Sequence, residues 1–327
     1  MKTVFIINPM AGKNNKVIDV ILAAKAAGER LNKETEMYIT KAVGDAEAFV
    51  RDYVSQKGKA RFIACGGDGT LSEVLNGAYG IDGVELGVMP MGTGNDFCRN
   101  FSSDISFLDV EGQLTGGTVK CDIIRYTTES EGKVIQKYCA NMFNIGFDCN
   151  VADLTSRMKT KPFISGSLAY FLSIFSMLIK KKGANLEIEL DGKKMHKGPL
   201  LLTSVANGSF CGGGIKSNPC ASLNDGLIDV NIIYNISRLN FLSKLPFYMK
   251  GTHTKLKNIQ NVIANYKCRS LTVTPCDGSM RLCIDGEIID AGETRFELID
   301  SAIDFVLPTK DIEAKANMPD KEPTVQK

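Results

Sequence analysis

The 327-residue chain has little net charge, few histidines and no C-x-x-C pair. Lys and Arg exceed Asp and Glu by only two, whereas a protein that works on nucleic acid usually has a larger basic excess. The two histidines, His196 and His253, do not lie near paired cysteines, so no zinc-site pattern is present. We therefore expect neither a nucleic-acid-binding protein nor a zinc protein.

The ten cysteines give no sign of a disulfide framework. The first apolar segment ends at Ile7 and is too short for the apolar core of a secretory signal peptide. Free thiols and a cytoplasmic location are therefore expected.

One run of the sequence, 163–179, contains no charged residue and could be a membrane-spanning helix. It is shorter than the ~20 residues of a spanning helix and it contains serine and glycine, so a buried helix is expected. An interfacial helix is the alternative. The flanking lysines are Lys159, Lys161, Lys180, Lys181 and Lys182.

Basic residues are concentrated in two stretches. Residues 157–197 contain nine basic and three acidic residues, and residues 238–281 contain eight basic and one acidic. Solvated surface side chains give such a pattern; the alternative is attraction to an anionic membrane, worth about 1 kcal/mol per basic residue near the surface. The lysines of interest in the second stretch are Lys250, Lys255, Lys257 and Lys267.

The first third of the chain alternates strand and helix patterns. Strands are predicted at 2–7, 37–40, 60–65 and 84–89, and helices at 14–31, 46–54 and 71–79. This alternation predicts a parallel sheet, which binds its ligand at the carboxyl ends of the strands.

From residue 126 the pattern changes to short strands separated by Asp-Gly and Asn-Gly turns. The expected runs include 134–145, 186–190, 200–206, 227–234 and 280–284. Such spacing is typical of an antiparallel β-sandwich. The polar tail, 311–327, is expected to be disordered.

A glycine-rich segment, Gly66–Thr70, lies between a predicted strand and a helix. Glycines let the backbone approach a ligand, and amides at a helix N-terminus hold phosphate oxygens. Asp68 can hold Mg²⁺ directly or through water. An ordinary strand-to-helix turn is the alternative, but further loops of this kind favour a phosphate site.

Two more such segments follow predicted strands: Asn8–Gly12 and Met91–Asp96. Thr93 offers a hydroxyl to a nucleotide and Asp96 a second carboxylate. The chain has neither the Walker A pattern nor the G-x-G-x-x-G fingerprint of dinucleotide-binding folds.

These segments together resemble the diacylglycerol kinase catalytic domain. Later segments agree: Asn207-Gly208, the glycines 212–214, the run Asn224–Asp229 and Asp285-Gly286-Glu287. The chain is most similar to the bacterial soluble lipid kinases, which are related to sphingosine and ceramide kinases. The resemblance extends from about residue 2 to about residue 307.

The resemblance implies an α/β protein with two domains. A Rossmann-like, phosphofructokinase-like nucleotide domain would comprise 1–125 and 292–310, and a β-sandwich domain for the lipid would comprise 126–291. The implied nucleotide contacts are Asn8, Pro9, Met10, Ala11, Gly12, Thr40, Gly66, Gly67, Asp68, Gly69, Thr70, Leu71, Ser72 and Thr93.

The resemblance also implies catalytic and metal-binding residues. The implied catalytic residues are Glu287, Asp285, Asp68, Asp96 and Asp122, the last three forming a network. Either Glu287 or Asp285 would accept the proton of the lipid hydroxyl, with Glu287 ranked first. A structural Mg²⁺ would bind Asp225 and the carbonyls of Ser222 and Leu227, and a second Mg²⁺ would act with ATP.

The expected function is an ATP-dependent lipid kinase, acting on diacylglycerol to give phosphatidic acid at the inner face of the cell membrane, on an anionic surface. Phosphatidylglycerol, ceramide-like lipids and undecaprenol-like lipids are compatible acceptors too, and a homodimer is compatible. The alternatives are an NAD kinase-like small-molecule kinase, whose family shares Gly-Gly-Asp-Gly-Thr, and a non-catalytic nucleotide- or lipid-binding regulator.

Overall fold

The computed structural model describes residues 1–12, 17–146 and 183–309. The chain divides into two compact units. The first contains Met1–Ile123, Leu223–Asp225 and the described residues from Ile299 onward. The second contains the described residues of Ile124–Ser222 together with Gly226–Leu298.

The first unit is built on a parallel sheet with helices. Its strands are β1 (Thr3–Ile7), β2 (Thr35–Ile39), β3 (Arg61–Gly66) and β4 (Glu85–Pro90), and its helices are α1 (Val17–Leu31), α2 (Asp45–Lys57), α3 (Asp68–Ala78) and α4 (Val110–Thr115). The order is β2-β1-β3-β4, and each pairing is parallel. The predicted alternation of strand and helix is confirmed.

Burial explains why these segments form strands. All five residues of β1 and all six of β3 are buried, as expected of parallel strands that are covered on both faces. Helix α1 turns Val20, Ala24 and Ala27 toward a core that includes Phe5 and Ile63. The carboxyl ends of β1, β3 and β4 consequently meet at one edge of a rigid sheet.

The second unit is mostly antiparallel. The remaining strands are β5 (Thr118–Ser130), β6 (Lys133–Cys139), β7 (Met142–Gly146), β8 (Ala184–Leu190), β9 (Lys193–Ala206), β10 (Ile228–Tyr234), β11 (Ile263–Cys268), β12 (Ser270–Pro275), β13 (Met280–Ile284), β14 (Glu287–Ala291) and β15 (Thr294–Val306). Strands β5 and β15 continue into the first unit, where β15 pairs in parallel with β4 at Asp304 and Phe305.

Strand β9 joins the two layers of a sandwich. Its first half pairs with β8, and its last half lies between β7 and β10. One layer therefore runs β14-β13-β7-β9-β10-β11 and the other runs β9-β8-β12-β15. Side chains of both layers, such as Phe143, Ile188, Val230 and Phe296, form one core. The expected β-sandwich is confirmed.

Two details differ from the sequence-based expectation. The run expected at 134–145 is two strands, because the chain breaks at Ala140 and Asn141 between β6 and β7. A helix that the sequence pattern did not predict, α5 (Arg238–Met249), follows β10. Its apolar residues are spread over both faces, so the periodicity was weak.

Several expectations fall outside the described residues: the run 163–179, its flanking lysines and the tail 311–327. No helix in the described ranges is long and apolar enough to cross a membrane. The nine cysteines within those ranges are free, as expected.

Candidate active site

Three loops follow β1, β3 and β4 at the same edge of the parallel sheet. They are Asn8–Gly12, Gly67–Thr70 at the start of α3, and Met91–Asp96. Because β3 lies between β1 and β4, the middle loop can contact both others.

Asn8 connects the first loop to the second. Its Nδ2 donates to Thr70 Oγ1 at 3.1 Å, and its Oδ1 accepts from the Met10 amide at 2.9 Å. The Asn8 amide itself donates to the Cys65 carbonyl at the end of β3. One side chain therefore fixes both the turn after β1 and the first turn of α3. Pro9 and Ala11 are half-buried in this turn, and Met10 is exposed.

Glycines permit close backbone approach between the loops. A Cβ on Gly92 would lie 2.6 Å from Gly67 Cα, and a Cβ on Gly12 would lie 2.5 Å from the Met91 carbonyl oxygen. Gly12 also has a φ of +78°, which favours glycine. A side chain at Gly66 would clash with Thr70. The loops pack backbone against backbone, with Gly69 inside the first turn of α3.

Asp68 holds the third loop. Its Oδ2 accepts from the Asp96 amide and its Oδ1 from the Phe97 amide, both at 3.2 Å. These amides begin the 3-10 turn Phe97–Asn100, so the carboxylate stabilises the partial positive charge at the start of that turn. Asp68 therefore positions Asp96 in addition to any role toward a ligand. Burial, with a smaller contribution from the Asp68 carboxylate, raises the pKa of the nearby Cys98 thiol.

The third loop is further stabilised by two residues that the sequence pattern did not single out. Asn95 has a φ of +55° and forms two hydrogen bonds with Gly92, accepting from its amide at 3.1 Å and donating to its carbonyl at 2.8 Å. Arg99 donates to the Gly94 carbonyl at 3.2 Å, and its Nε lies 3.5 Å from Asp96 Oδ1. The Thr93 side chain remains exposed at the tip.

The other predicted residues of the first unit lie on neighbouring elements. Thr40 follows β2 and donates its amide to the Ile7 carbonyl at 2.9 Å, which places it beside the end of β1. Leu71 is buried in α3 and Ser72 is half-buried. Asp122 is fully buried in β5, where its Oδ1 accepts from the Ser301 amide at 2.7 Å. Its carboxylate thus stabilises the backbone of β15.

In the second unit, Asp285 and Gly286 form the two-residue turn between β13 and β14. Both have positive φ, as a type I′ hairpin turn requires. Asp285 Oδ1 accepts from the Met142 amide at 3.1 Å, and Oδ2 accepts from the Cys139 thiol at 3.2 Å. Burial, and then the Asp285 carboxylate, raise the pKa of Cys139 well above its ordinary value, so the thiol stays a donor. The next residue, Glu287, is exposed on β14.

The expected Mg²⁺ ligands lie in a short turn. Ser222 is buried, Asp225 and Leu227 are half-buried, and Gly226 has a φ of +72°. Among the described residues, no three His, Cys, Asp or Glu side chains cluster as a metal site. The expected set is of another kind, one carboxylate and two carbonyls, and its all-oxygen chemistry suits Mg²⁺.

Comparisons with known proteins agree with this arrangement. Residues 2–126 match the diacylglycerol kinase catalytic domain, and residues 141–307 match the YegS C-terminal NAD kinase beta sandwich-like domain. A diacylglycerol kinase of Staphylococcus epidermidis is 32% identical over 94% of this chain and 92% of its own. The chain belongs to the diacylglycerol kinase family. At the level of that family it is an ATP-dependent lipid kinase.

Another diacylglycerol kinase has the same identity to this chain over a smaller share of its length. A Bacillus subtilis diacylglycerol kinase is 32% identical over 79% of this chain and 81% of its own. The fold is also that of a solved structure, a putative diacylglycerol kinase from Bacillus anthracis, with a TM-score of 0.70 and 20% identity over 94% of this chain and 96% of that one.

Proposed function

We propose that the protein transfers the γ-phosphoryl group of ATP to the hydroxyl group of diacylglycerol, giving phosphatidic acid and ADP. The observation that carries this proposal is the interlocking of three loops, Asn8–Gly12, Gly67–Thr70 and Met91–Asp96, at the carboxyl edge of a parallel sheet. The relatives that share most of this chain's length are diacylglycerol kinases.

In this proposal the first domain, 1–125 with 292–310, binds ATP. The glycine loops and the start of α3 present backbone amides to the phosphates, and the exposed Thr93 hydroxyl adds a side-chain contact. Thr40, beside the end of β1, lies at the same edge of the sheet. Phosphoryl transfer requires little covalent help from the protein, so positioning and charge stabilisation provide most of the rate.

The second domain, 126–291, would present the lipid and the proton acceptor. In the reaction the lipid oxygen bonds to the γ-phosphorus, the bond to the bridging oxygen of ADP breaks, and the hydroxyl proton moves to a carboxylate. Glu287 is our first choice, because it is exposed and its carboxylate has no hydrogen bond within the described ranges. Asp285 accepts a hydrogen bond from the Cys139 thiol at one oxygen and from the Met142 amide at the other, which suits a positioning role.

Magnesium is part of the proposal at two places. Bound with ATP, it would neutralise the charge that develops on the phosphate oxygens; Asp68 and Asp96 are carboxylates within the loops, joined by the Asp96 amide. A structural ion would bind Asp225 and the carbonyls of Ser222 and Leu227. Asp122 would support the same region, since its amide donates to the Leu223 carbonyl.

The acceptor is tested by a panel of lipids with γ-labelled ATP. Diacylglycerol, phosphatidylglycerol, ceramide and undecaprenol would be compared in mixed micelles, with NAD as a small-molecule acceptor. We expect the highest kcat/KM with diacylglycerol and no labelled NADP. Preference for another lipid would replace the acceptor, and phosphorylation of NAD alone would overturn the lipid kinase assignment.

The structural ion is tested by thermal unfolding with Mg²⁺ and with EDTA. Mg²⁺ at 100 times its Kd should stabilise the wild-type protein by about 2.7 kcal/mol. Asp225→Ala should remove this gain. Asp277→Ala, at another Asp-Gly turn, where Asp277 accepts from Asn185, should retain it. An equal Mg²⁺ effect in wild type and Asp225→Ala would contradict the assigned ligand.

A further inference from the structure

Helix α5 has an apolar face that is exposed to solvent. Leu239 is 81% exposed, Leu242 43% and Met249 36%. At about 100° per residue these three positions fall within about a quarter of the helix circumference. The exposed Pro246 lies among them, and Phe247, also exposed, borders them. We call Leu239, Leu242, Pro246, Phe247 and Met249 the apolar stripe.

The adjoining face of α5 attaches the helix to the sandwich and leaves the stripe exposed. Phe241, Leu245 and Tyr248 pack on a cluster that includes Leu202 of β9 and Ile233 of β10. The helix is therefore attached to the sandwich by one set of apolar side chains. The stripe is a second set, and core packing of the described residues does not use it.

Basic residues lie at the C-terminal end of the stripe and follow it in the sequence. The Lys216 amide donates to the Met249 carbonyl at 3.0 Å, so Lys216 lies against the end of the helix, with its ammonium group 5.4 Å from the Phe210 ring centre. Lys250, Lys255 and Lys257 follow and are exposed. Within the described ranges, no carboxylate lies at ion-pair distance from these three lysines.

The surrounding sequence contains no acid to neutralise them. Between Val230 and Cys276 there are seven Lys and Arg residues and no Asp or Glu. Lys267 is an exception among the seven, because it pairs with Asp229 at 3.1 Å. The positive charge that an outside partner would meet near the end of α5 therefore includes Lys250, Lys255 and Lys257.

We propose that the apolar stripe of α5, with Lys216, Lys250, Lys255 and Lys257, is the surface that docks on an anionic lipid bilayer. Apolar side chains enter the boundary between headgroups and acyl chains, and lysines bind the anionic headgroups, which is how interfacial helices attach. If a second copy of the chain bound this surface, its lysines would face the same lysines of the first copy and repel them. The positive charge therefore favours an anionic membrane as the partner. The inference rests on the proposed function, which requires the enzyme to reach a lipid.

The lack of tryptophan permits a direct test. Leu239→Trp introduces a single fluorescent reporter into the stripe, and Ile18→Trp introduces one on α1, where Ile18 is 68% exposed. Vesicles of phosphatidylcholine with phosphatidylglycerol should shift the emission of Leu239→Trp to shorter wavelength and leave Ile18→Trp unchanged. No shift at position 239, or an equal shift at both positions, would overturn the proposal.

A matched pair of double variants measures the contribution to binding. Leu239→Ser with Leu242→Ser should weaken vesicle sedimentation at least tenfold. Ile18→Ser with Leu22→Ser, also two exposed apolar residues one helical turn apart, should change it less than twofold. Lys250→Glu with Lys257→Glu should weaken binding and flatten its salt dependence. Equal losses in the two serine pairs would place the docking surface elsewhere.

Two further readouts distinguish membrane docking from catalysis and from self-association. Loss of α5 docking should lower kcat/KM for diacylglycerol in vesicles far more than for a soluble short-chain diacylglycerol. If the wild-type protein phosphorylates no lipid while Leu239→Trp still enters the bilayer, the proposed function fails and the docking surface stands. If the stripe is instead a dimer contact, the reporter will be blue-shifted without vesicles and Leu239→Ser will release monomers, which would overturn the docking proposal.

Discussion

Asp68 combines two tasks in one side chain. It begins α3 directly after a buried strand, and it accepts two backbone amides from the loop that carries Asp96. Both oxygens are thus used in the structure, and each retains capacity to accept from a further donor. A ligand in the loops would therefore meet a carboxylate whose orientation is already fixed.

Asp68→Ala should lower kcat by roughly 100-fold or more at saturating ATP and Mg²⁺, because preorganised charge is lost and the third loop is released. Asp68→Asn keeps one of the two acceptor oxygens and loses the charge, so it should recover part of the thermal stability lost in Asp68→Ala without restoring kcat. The control is Asp19→Ala, at an exposed position of α1, which should keep the wild-type kcat. A wild-type kcat in Asp68→Ala would remove Asp68 from the site.

The sequence predicted which residues converge and missed how they are held. Asn8, Asp68 and Asp96 follow buried strands, and parallel strands bring such positions together. The contributions of Asn95 and Arg99 depend on a left-handed backbone and on loop geometry. Neither property has a pattern in the sequence, although asparagine tolerates positive φ better than most residues.

Alanine substitutions at two glycines separate the effect of a strained backbone from the effect of a steric clash between the loops after β1 and β4. Gly12 and Gly80 have φ values of +78° and +84°, but only Gly12 has a neighbour, Met91, in the space of a Cβ. Gly80→Ala should cost about 1 kcal/mol in unfolding free energy and leave the KM for ATP unchanged. Gly12→Ala should cost more and raise the KM for ATP several-fold. Equal effects on KM would mean that the contact does not shape the site.

His253, in the 3-10 turn that follows α5, gives a pH dependence. It is fully buried beside Tyr248, and burial lowers its pKa. Below the unfolded-state pKa of about 6.5, the unfolded chain binds a proton that the folded chain resists. The contribution of His253 to the free energy of unfolding is therefore fully present above that pH. It is lost as pH falls, with a limiting slope of about 1.4 kcal/mol per pH unit.

Urea unfolding between pH 7.5 and 5.5 checks this expectation. His253→Phe should flatten the dependence of the free energy of unfolding on pH over this range. The control is His196→Gln, at a half-buried position of β9, which should retain that dependence. The same slope in wild type and His253→Phe would show that another group causes the loss.

Among helices and strands, the sequence predicted the regular ones. Strands of the first unit are continuous apolar runs, and the hairpin at Asp285 has a turn signal that fits its backbone. Helix α5 was missed because its packed residues and its exposed stripe together leave little one-sided periodicity. Apolar residues on two faces of α5 weaken its periodicity, and they also indicate that the helix makes a second apolar contact.

The whole chain shows why several weak motifs together identify a family. Each glycine loop or Asp-Gly turn occurs in many folds, but the chain that carries them in this order is similar to a diacylglycerol kinase over 94% of its length. The assignment of ATP to one domain and lipid to the other follows from that order and stays a prediction. So do the Mg²⁺ ligands and the homodimer.

We expect this chain to phosphorylate a lipid hydroxyl with Glu287 as the proton acceptor. The most direct measurement is the formation of labelled phosphatidic acid from γ-labelled ATP and diacylglycerol, by wild type, Glu287→Gln and Asp285→Asn, each with its ATP affinity. We predict rapid formation by wild type, a loss of roughly 100-fold or more in Glu287→Gln with unchanged ATP affinity, and a smaller loss in Asp285→Asn. No labelled lipid from the wild-type enzyme would overturn the lipid kinase proposal, and full activity in Glu287→Gln would show that Glu287 is not the proton acceptor.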